Sequence, residues 1–350
     1  MKKDYEIKLY DIDGTFIKTV ERANVISNIS FSGAIESGNS EVKVDLPVNS
    51  ETVEMEEGQV MKLIVFSDNY PNGKTIFTGV CTISEYRIGP DGEFRTMTYL
   101  GIQYLLAKMF YKVWGNFTGT ATATPGQIIK DIIDFFNTAL GYSWFSTTNI
   151  DLTGSSISLD VDYTYCMNLI KDASKTKTGY YLYIDGTGAV YFAQKSATPQ
   201  HLLTLGGDVD TIVYKKDLET MVNGHIVEWS SGTRPENVDA TSQSNYFVSQ
   251  LKENRTELKN TGTADAYSAA YIDKYKNPTS RTSVSVNINF TDGENLTDWG
   301  IEELIPGHTV TILNTNDVIE NLQIHKITYN IRGVELELEA IQTLWFLLSN

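Results

Sequence analysis

The sequence predicts a mainly β protein with a small α/β part in its middle. Twenty tyrosines and 26 glycines among 350 residues, with many Thr, Val and Ile, favour strands and turns. Alternation of apolar and polar residues begins at Tyr5 and resumes after residue 201, and helical periodicity is concentrated between these regions. At about 150 residues per domain, the length suggests two or three domains, each able to bury a core.

Tyr5, Ile7 and Leu9 fall on one face against Glu6 and Lys8 on the other, the period of a half-solvated strand. Asp13-Gly14 reads as a turn, and Thr15 to Val20 as the returning strand. Strand patterns follow in "NVISNISFSGAI", "SEVKVDLPV", "QVMKLIVFSD", "TIFTGVCTISEYRI" and "EFRTMTYLGIQYLLA". They are separated by "SGN", "PNGK" and "GPDGE", and predict a barrel or sandwich over residues 1–110.

Residues 111–200 read as an α/β middle domain. In "TPGQIIKDIIDFFNTALG", Thr124 is a candidate N-cap, Pro125 sits at N1, and Gln127 could close a capping box. Ile128, Ile129, Ile132, Phe135 and Phe136 give an apolar face, and Gly141 a stop. A second helix is predicted over 164–178 from Cys166, Leu169, Ile170 and Ala173, ending at Gly179. A hairpin from Tyr180 to Phe192 turns at Asp185-Gly186-Thr187-Gly188. This glycine pair is not a dinucleotide fingerprint, because Tyr191 stands where the third glycine belongs and a strand follows instead of a helix.

Residues 201–350 return to strand patterns, interrupted at about 231–280 by a polar Ser/Thr/Asn stretch that predicts a mobile loop or a contact arm. Within it "TADAYSAAYIDKYKNP" predicts one short helix, with Thr263 as cap and Tyr267, Tyr271 and Tyr275 on one face. That face needs something to pack against, so these tyrosines are candidate interface residues. The closing "LWFLLSN" adds Trp345 and Phe346, too apolar to leave in water and too short a run to span a membrane.

The balance of 28 basic against 44 acidic residues, a formal charge of −16, opposes sequence-specific nucleic-acid binding. The start lacks the unbroken apolar run of a signal peptide or membrane span, which predicts a soluble chain. Cys81 and Cys166 have no CxxC spacing and read as buried hydrophobes. His201, His225, His308 and His325 show no paired metal spacing, and no Gly-x-Ser-x-Gly elbow is present. No cofactor or metal is expected. The tryptophans at 114, 144, 229, 299 and 345 read as core or interface packing.

The string "DIDGT" at 11–15 matches the nucleophile motif of haloacid-dehalogenase-type phosphatases, with Asp11, Asp13 and a Mg²⁺ ion in the roles that chemistry needs. "GGDVDT" at 206–211 imitates the second acidic motif of that family. A phosphatase nucleophile ends a parallel strand buried on both faces, however, whereas the residues before Asp11 alternate with charges and no helical pattern appears before Thr124. The turn reading is preferred, and the chain is expected not to be an enzyme. A receptor- or carbohydrate-binding β module is a further alternative.

The order of these pieces resembles the baseplate or tail-tip hub proteins of tailed bacteriophages and related contractile injection systems. The stretches that carry the likeness are "EIKLYDIDGTFIKTV", "TPGQIIKDIIDFF", "SLDVDYTYCMNLIKDASKTKTGYYLYIDGTGAVYF" and "IPGHTVTILNTNDVIENLQIHKITYNIRGVELELE". The resemblance implies two tail-tube-like β-barrels, at 1–110 and 201–350, joined by the middle domain. It further implies a homotrimeric ring in the virion, between a tail-tube or distal-tail ring protein and a spike or fibre protein, with DNA passing through. Such a protein would be made in the cytoplasm of the host bacterium. "EGQVMKLIV" and "PGHTVTILN" share a Gly-x-x-apolar-x-apolar strand start, as a duplicated barrel motif would.

Overall fold

The alternation that opens the sequence sets the first sheet. The computed structural model describes residues 4–21, 25, 29–49, 55–66, 70–90, 92–196, 198–207, 209–229, 234–286, 304–313, 319–330 and 333–340. Its first strands are β1 (Asp4–Tyr10), β2 (Phe16–Glu21), β3 (Phe31–Ala34), β4 (Gly38–Asn39), β5 (Glu41–Pro47), β6 (Val60–Phe66), β7 (Lys74–Gly89) and β8 (Gly92–Gly101). Six of them form a sheet in the order β2-β1-β6-β7-β8-β5. Ile7 and Leu9 are fully buried, while Lys8 and Glu6 pair at 2.9 Å on the other face. On β5, Val42, Val44 and Leu46 are likewise buried between the exposed Glu41 and Lys43.

One strand leaves this sheet. β3 pairs antiparallel with a strand some 300 residues later in the chain, Phe31 opposite Tyr329 and Ala34 opposite Lys326. Phe31 stacks on Tyr329 at 4.6 Å and meets Phe77 of β7 at 5.1 Å, so one ring ties the two sheets together.

A 3-10 turn at Ile102–Ala107 leads into the middle of the chain. There lie β9 (Thr120–Ala123), α1 (Pro125–Leu140), β10 (Ser146–Ile150), β11 (Ile157–Asp160), α2 (Cys166–Ser174), β12 (Tyr180–Ile184) and β13 (Ala189–Gln194). α1 has the expected caps: Thr124 accepts from the Gln127 amide, Pro125 opens the helix, and Gly141 closes it at φ 70°. The capping box is only half made, because the Gln127 side chain donates to Asp131 instead of returning to the cap. The predicted α2 face, Cys166, Leu169, Ile170 and Ala173, is entirely buried, although the helix itself is shorter than 164–178. β12 and β13 form the expected hairpin, and β10 adds to β13 in parallel. Asp185 holds the hairpin turn by accepting from the amides of Thr187 and Ala189.

The last part contains β14 (His201–Thr204), β15 (Val209–Asp217), β16 (Gly224–Glu228), β17 (Glu236–Val238), α3 (Ala240–Asn245), β18 (Gln250–Asn254), α4 (Thr261–Tyr275), β19 (Thr279–Val286), β20 (Thr309–Leu313), β21 (Ile319–Asn330) and β22 (Gly333–Ala340). The second sheet runs β14-β20-β21-β22-β19-β15, with β3 and β4 joined beside β21. On β22 Val334, Leu336 and Leu338 point inward and glutamates occupy the alternate positions. The chain is mainly β with a few helices, and its sheet curls as a half-barrel.

Two cores organise these elements. Ile7, Leu9, Val44, Phe77 and Tyr99 of the first sheet share one core with Val284, Ile312, Ile324, Ile327 and Leu336 of the second. The other is built from Ile129, Ile132, Phe136, Leu169, Ile170 and Phe192, and extends to Val227, Trp229, Leu258 and Tyr267.

That extension departs from the sequence reading. Where the polar composition of 231–280 predicts a loop or contact arm with one helix, its described residues place β17 and β18 on either side of the preceding β16 in a three-stranded sheet, flanked by α3 and α4. Periodicity misses this unit because satisfied polar groups stabilise much of it. The fully buried Asn223 donates to the Phe247 carbonyl at 2.7 Å and accepts from the Ser249 amide at 2.8 Å, and the buried Ser268 donates to the His225 carbonyl at 3.0 Å. The helix cap is Asn260 rather than Thr263, which instead accepts from the Ser158 amide and ties α4 to β11.

Candidate interaction surface

Spacing of four residues places Tyr267, Tyr271 and Tyr275 on one face of α4, and the structure uses them differently. Tyr267 is 2% exposed and packs inside its own chain. Its hydroxyl donates to Glu253 at 2.8 Å, and the Arg255 guanidinium lies 4.7 Å from its ring. Arg255 also pairs at 2.5 Å with both Asp172 of α2 and Glu257, so α4 is held to the middle of the chain through a partly buried ionic network. Burial raises the Asp172 carboxyl above the usual range, against the pull of Arg255.

Tyr271 stacks on the buried His225 at 4.3 Å and meets the Tyr275 ring at a tilt, 4.6 Å away. Burial pushes its hydroxyl up to about 12. Burial likewise depresses His225, although Glu253 stands 3.3 Å from its Nε2 and works the other way. Tyr271 and Tyr275 open on a cleft of about 560 Å³ whose other walls include Glu36, Lys175, Lys195, His325 and Glu339. Lys274 reaches across to Glu36 at 2.7 Å. Burial opposes the Lys274 charge, but Glu36 and Tyr275 outweigh it and hold the pKa above its ordinary value. Trp345 and Phe346 lie outside the described residues.

Asp11 and Asp13 occupy an exposed turn between β1 and β2, which are antiparallel to one another. Asp13 accepts from the Thr15 amide at 2.9 Å, and this bond lowers its pKa. A phosphatase nucleophile would end a buried parallel strand, and β1 is antiparallel to both of its neighbours. Of the imitated second motif, Asp208 lies outside the described residues, and Val209 opens β15 in the other sheet.

Two features escaped the sequence reading. His201 and His308 meet, Nε2 to Nδ1 at 2.9 Å, because β14 and β20 pair in parallel; nothing local relates residues 107 apart. Burial lowers both to about 4, with Lys74 adding repulsion at each. Among the described residues no group of three or more His, Cys, Asp or Glu side chains could hold a metal ion. The other feature is Trp114. Trp144 and Trp229 are buried as expected, whereas Trp114 is 94% exposed at the tip of a two-residue hairpin beside Phe110, Phe117, Tyr163 and Tyr165.

No protein-family model matches the chain, and no curated protein matches it in sequence. Solved structures do resemble it. A tail protein from Neisseria meningitidis MC58 superposes with a TM-score of 0.63 at 9% identity, covering 96% of each chain. The 43 kDa tail protein of prophage MuSo2 from Shewanella oneidensis gives 0.60 at 15% identity over 96% of this chain and 98% of that one. Prophage tail protein gp18 from Listeria monocytogenes EGD-e gives 0.58 at 12% identity, covering 95% and 94%. The chain therefore shares, along nearly its whole length, the fold of these tail proteins.

Proposed function

We propose that the chain is a structural, non-enzymatic hub of a phage-type tail tip or baseplate. The observation that carries this reading is the shared fold over at least 94% of both chains in each of the three comparisons. On this reading, two curled sheets per copy line a ring, and three copies present six such sheets to the tube above. The division into sheet regions at 1–110 and 201–350 around an α/β region at 111–200 belongs to the same proposal.

Uncovered sheet edges support assembly. Among the described residues β6 pairs with β7 only as far as Val80, while β8 follows β7 out to Gly89. Beyond Val80 the far edge of β7 has no paired strand among those residues, and Ile83, Tyr86 and Ile88 stand at least half exposed there. Such an edge is an association surface. The cleft at Tyr271 and Tyr275 is a second candidate contact, and Trp345 and Phe346 a third. The partners in this reading are a tail-tube or distal-tail ring protein on one side and a spike or fibre protein on the other, all in the virion. A charge of −16 would let DNA pass a lumen without adhering.

Light scattering on the purified protein, with electron-microscope images of the particles, tests the proposal. A trimeric ring with a central channel is expected. A compact monomer at micromolar concentration, with no assembly when a tube-side or spike-side partner is added, would overturn it.

A further inference from the structure

The end of β22 and the end of α4 meet at the cleft. β22 runs antiparallel to β19 with Arg281 opposite Glu339, so Ala340, its last residue, lies beside the start of β19, where the connection from α4 enters the sheet. Pro278 of that connection and Glu339 both line the cleft, together with Tyr271 and Tyr275. The chain therefore leaves β22 at the rim of the cleft. The residues that follow, 341–350, read IQTLWFLLSN and lie outside the described residues.

Both sides of this junction call for a cover. Tyr271 and Tyr275 are partly exposed, and Ala270 and Pro278 add apolar surface beside them. The segment 341–350 has five large apolar residues in a row, Leu344 to Leu348, and no charged side chain, a composition that is unfavourable in water. Most charges in the walls of the cleft answer one another: Lys274 pairs with Glu36 at 2.7 Å, Lys276 with Asp273 at 3.4 Å, and His325 stands 3.7 Å from Glu339. A cleft lined in this way takes a neutral occupant at less cost than a charged one. Lys175 and Lys195, which make no ion pair among the described residues, offer ammonium groups to the face of an aromatic ring.

We propose that the chain's own segment 341–350 turns back into the cleft and seats Trp345 and Phe346 against Tyr271 and Tyr275. Trp345 is five residues past Ala340, a reach of up to about 17 Å. The two tyrosines lie one helical turn apart, and a cleft of about 560 Å³ has room for two aromatic side chains. A segment tethered at the rim is present at an effective concentration of about millimolar, which a separate molecule must exceed to compete. That tether favours this occupant over a partner or a second copy. The inference does not rest on the hub reading: two of the contacts offered there for assembly, the cleft and Trp345 with Phe346, become one contact inside a single chain.

The test is cross-linking of the full chain. Asp273→Cys, exposed on α4, is combined with Ser349→Cys and treated with a short bismaleimide, the native Cys81 and Cys166 being buried. The two single-cysteine chains are also produced together, so that a link between copies would be seen in any oligomeric state. The expected result is a link within one chain and none between chains. Adding Trp345→Ala should slow the link at least about fivefold, and Tyr275→Ala, on the opposite side of the contact, should slow it likewise. In thermal unfolding Trp345→Ala should lower the melting temperature of the wild type but add little to a chain already carrying Tyr271→Ala and Tyr275→Ala. A link between the single-cysteine chains would assign the cleft to the segment of a neighbouring copy, overturning this inference and leaving the hub reading in place. A link within the chain whose rate ignores Trp345→Ala would show an undocked tether and overturn it too, as would the absence of any link.

Discussion

Trp144 donates its indole N–H to the carbonyl of Ile12 at 2.7 Å, joining the middle of the chain to the tip of its first hairpin. Gly14 follows two residues later at φ 84°, so close to Tyr142 that a Cβ would lie 2.1 Å from the ring. The string that imitates a phosphatase nucleophile is therefore shaped as a docking tip. A reciprocal contact runs the other way: Thr78 of β7 donates to the carbonyl of Gly186 at 2.6 Å, in the turn between β12 and β13. Two Asp-Gly turns, one from each side, hold the first sheet against the α/β region.

Gly14→Ala should therefore destabilise the protein, by about 1–3 kcal/mol from the left-handed backbone alone and more if Tyr142 is displaced. Asp11→Asn, on the exposed side of the same turn, should stay within about 0.5 kcal/mol of wild type. Urea unfolding measures both. Mg²⁺-dependent turnover of a phosphate ester that vanished in Asp11→Asn would overturn the structural reading of the motif.

On the other side of the junction, Thr78→Val keeps the shape but leaves the buried Gly186 carbonyl without this donor. The expected cost is about 1–2 kcal/mol. Gly186→Ala should cost more, since a Cβ would fall 1.9 Å from the Ile76 carbonyl oxygen, and neither backbone can yield easily. Equal stability of wild type and Gly186→Ala would mean that the two regions are not held together at this turn.

Local chemistry made part of this architecture legible. The caps of α1, the Asp185 turn and the alternation of β1, β5 and β22 all depend on residues within a few positions of one another. Non-local pairing was not legible: "NVISNISFSGAI" reads correctly as containing a strand, but nothing in it says that Phe31 lies opposite Tyr329. The His201–His308 pair was hidden for the same reason. The 231–280 region and the residues it packs on escaped in a different way, because hydropathy cannot register a buried Asn223 or Ser268 whose polar groups are taken up by Ser242 and neighbouring backbone. Trp114 left one faint local signal, a Trp-Gly-Asn turn between Val113 and Phe117.

The histidine pair should make stability depend on pH. Both rings hold pKa values of about 4 in the fold, against an ordinary 6.5, so the unfolded chain takes up protons first as pH falls. Stability is then full above about pH 7.5 and declines between 6.5 and 4, with a slope of up to about 1.4 kcal/mol per pH unit for each histidine. His225, also depressed, adds a loss of the same sign. Urea midpoints at pH 7.5, 6 and 5 should fall in that order, and His201→Gln should flatten the decline. A midpoint that rose on acidification would contradict the assignment.

Arg255→Met should be among the more damaging single changes, at about 3 kcal/mol or more, because it leaves the mostly buried Asp172 without its partner. Adding Asp172→Asn removes the stranded charge, and the double variant should recover part of the loss. Strict additivity of the two changes in thermal unfolding would show that the pair is not coupled.

The final prediction concerns α4, which the sequence places in an arm needing a partner. Its tyrosines all line the cleft but divide in burial: Tyr267 is buried against Glu253 and Arg255 within the chain, while Tyr271 and Tyr275 are partly exposed. Thr263, Ser268 and Tyr267 each bond to a different neighbouring segment, at Ser158, His225 and Glu253. Local opening of the helix must break all three contacts as well as its own backbone bonds. Amides in Tyr267–Tyr271 should therefore exchange slowly even in a dissociated monomer. Assembly should add protection only toward Tyr275 and the cleft. Rapid exchange across the whole of α4 in the monomer, lost on assembly, would return the helix to the role of an arm ordered by its partner.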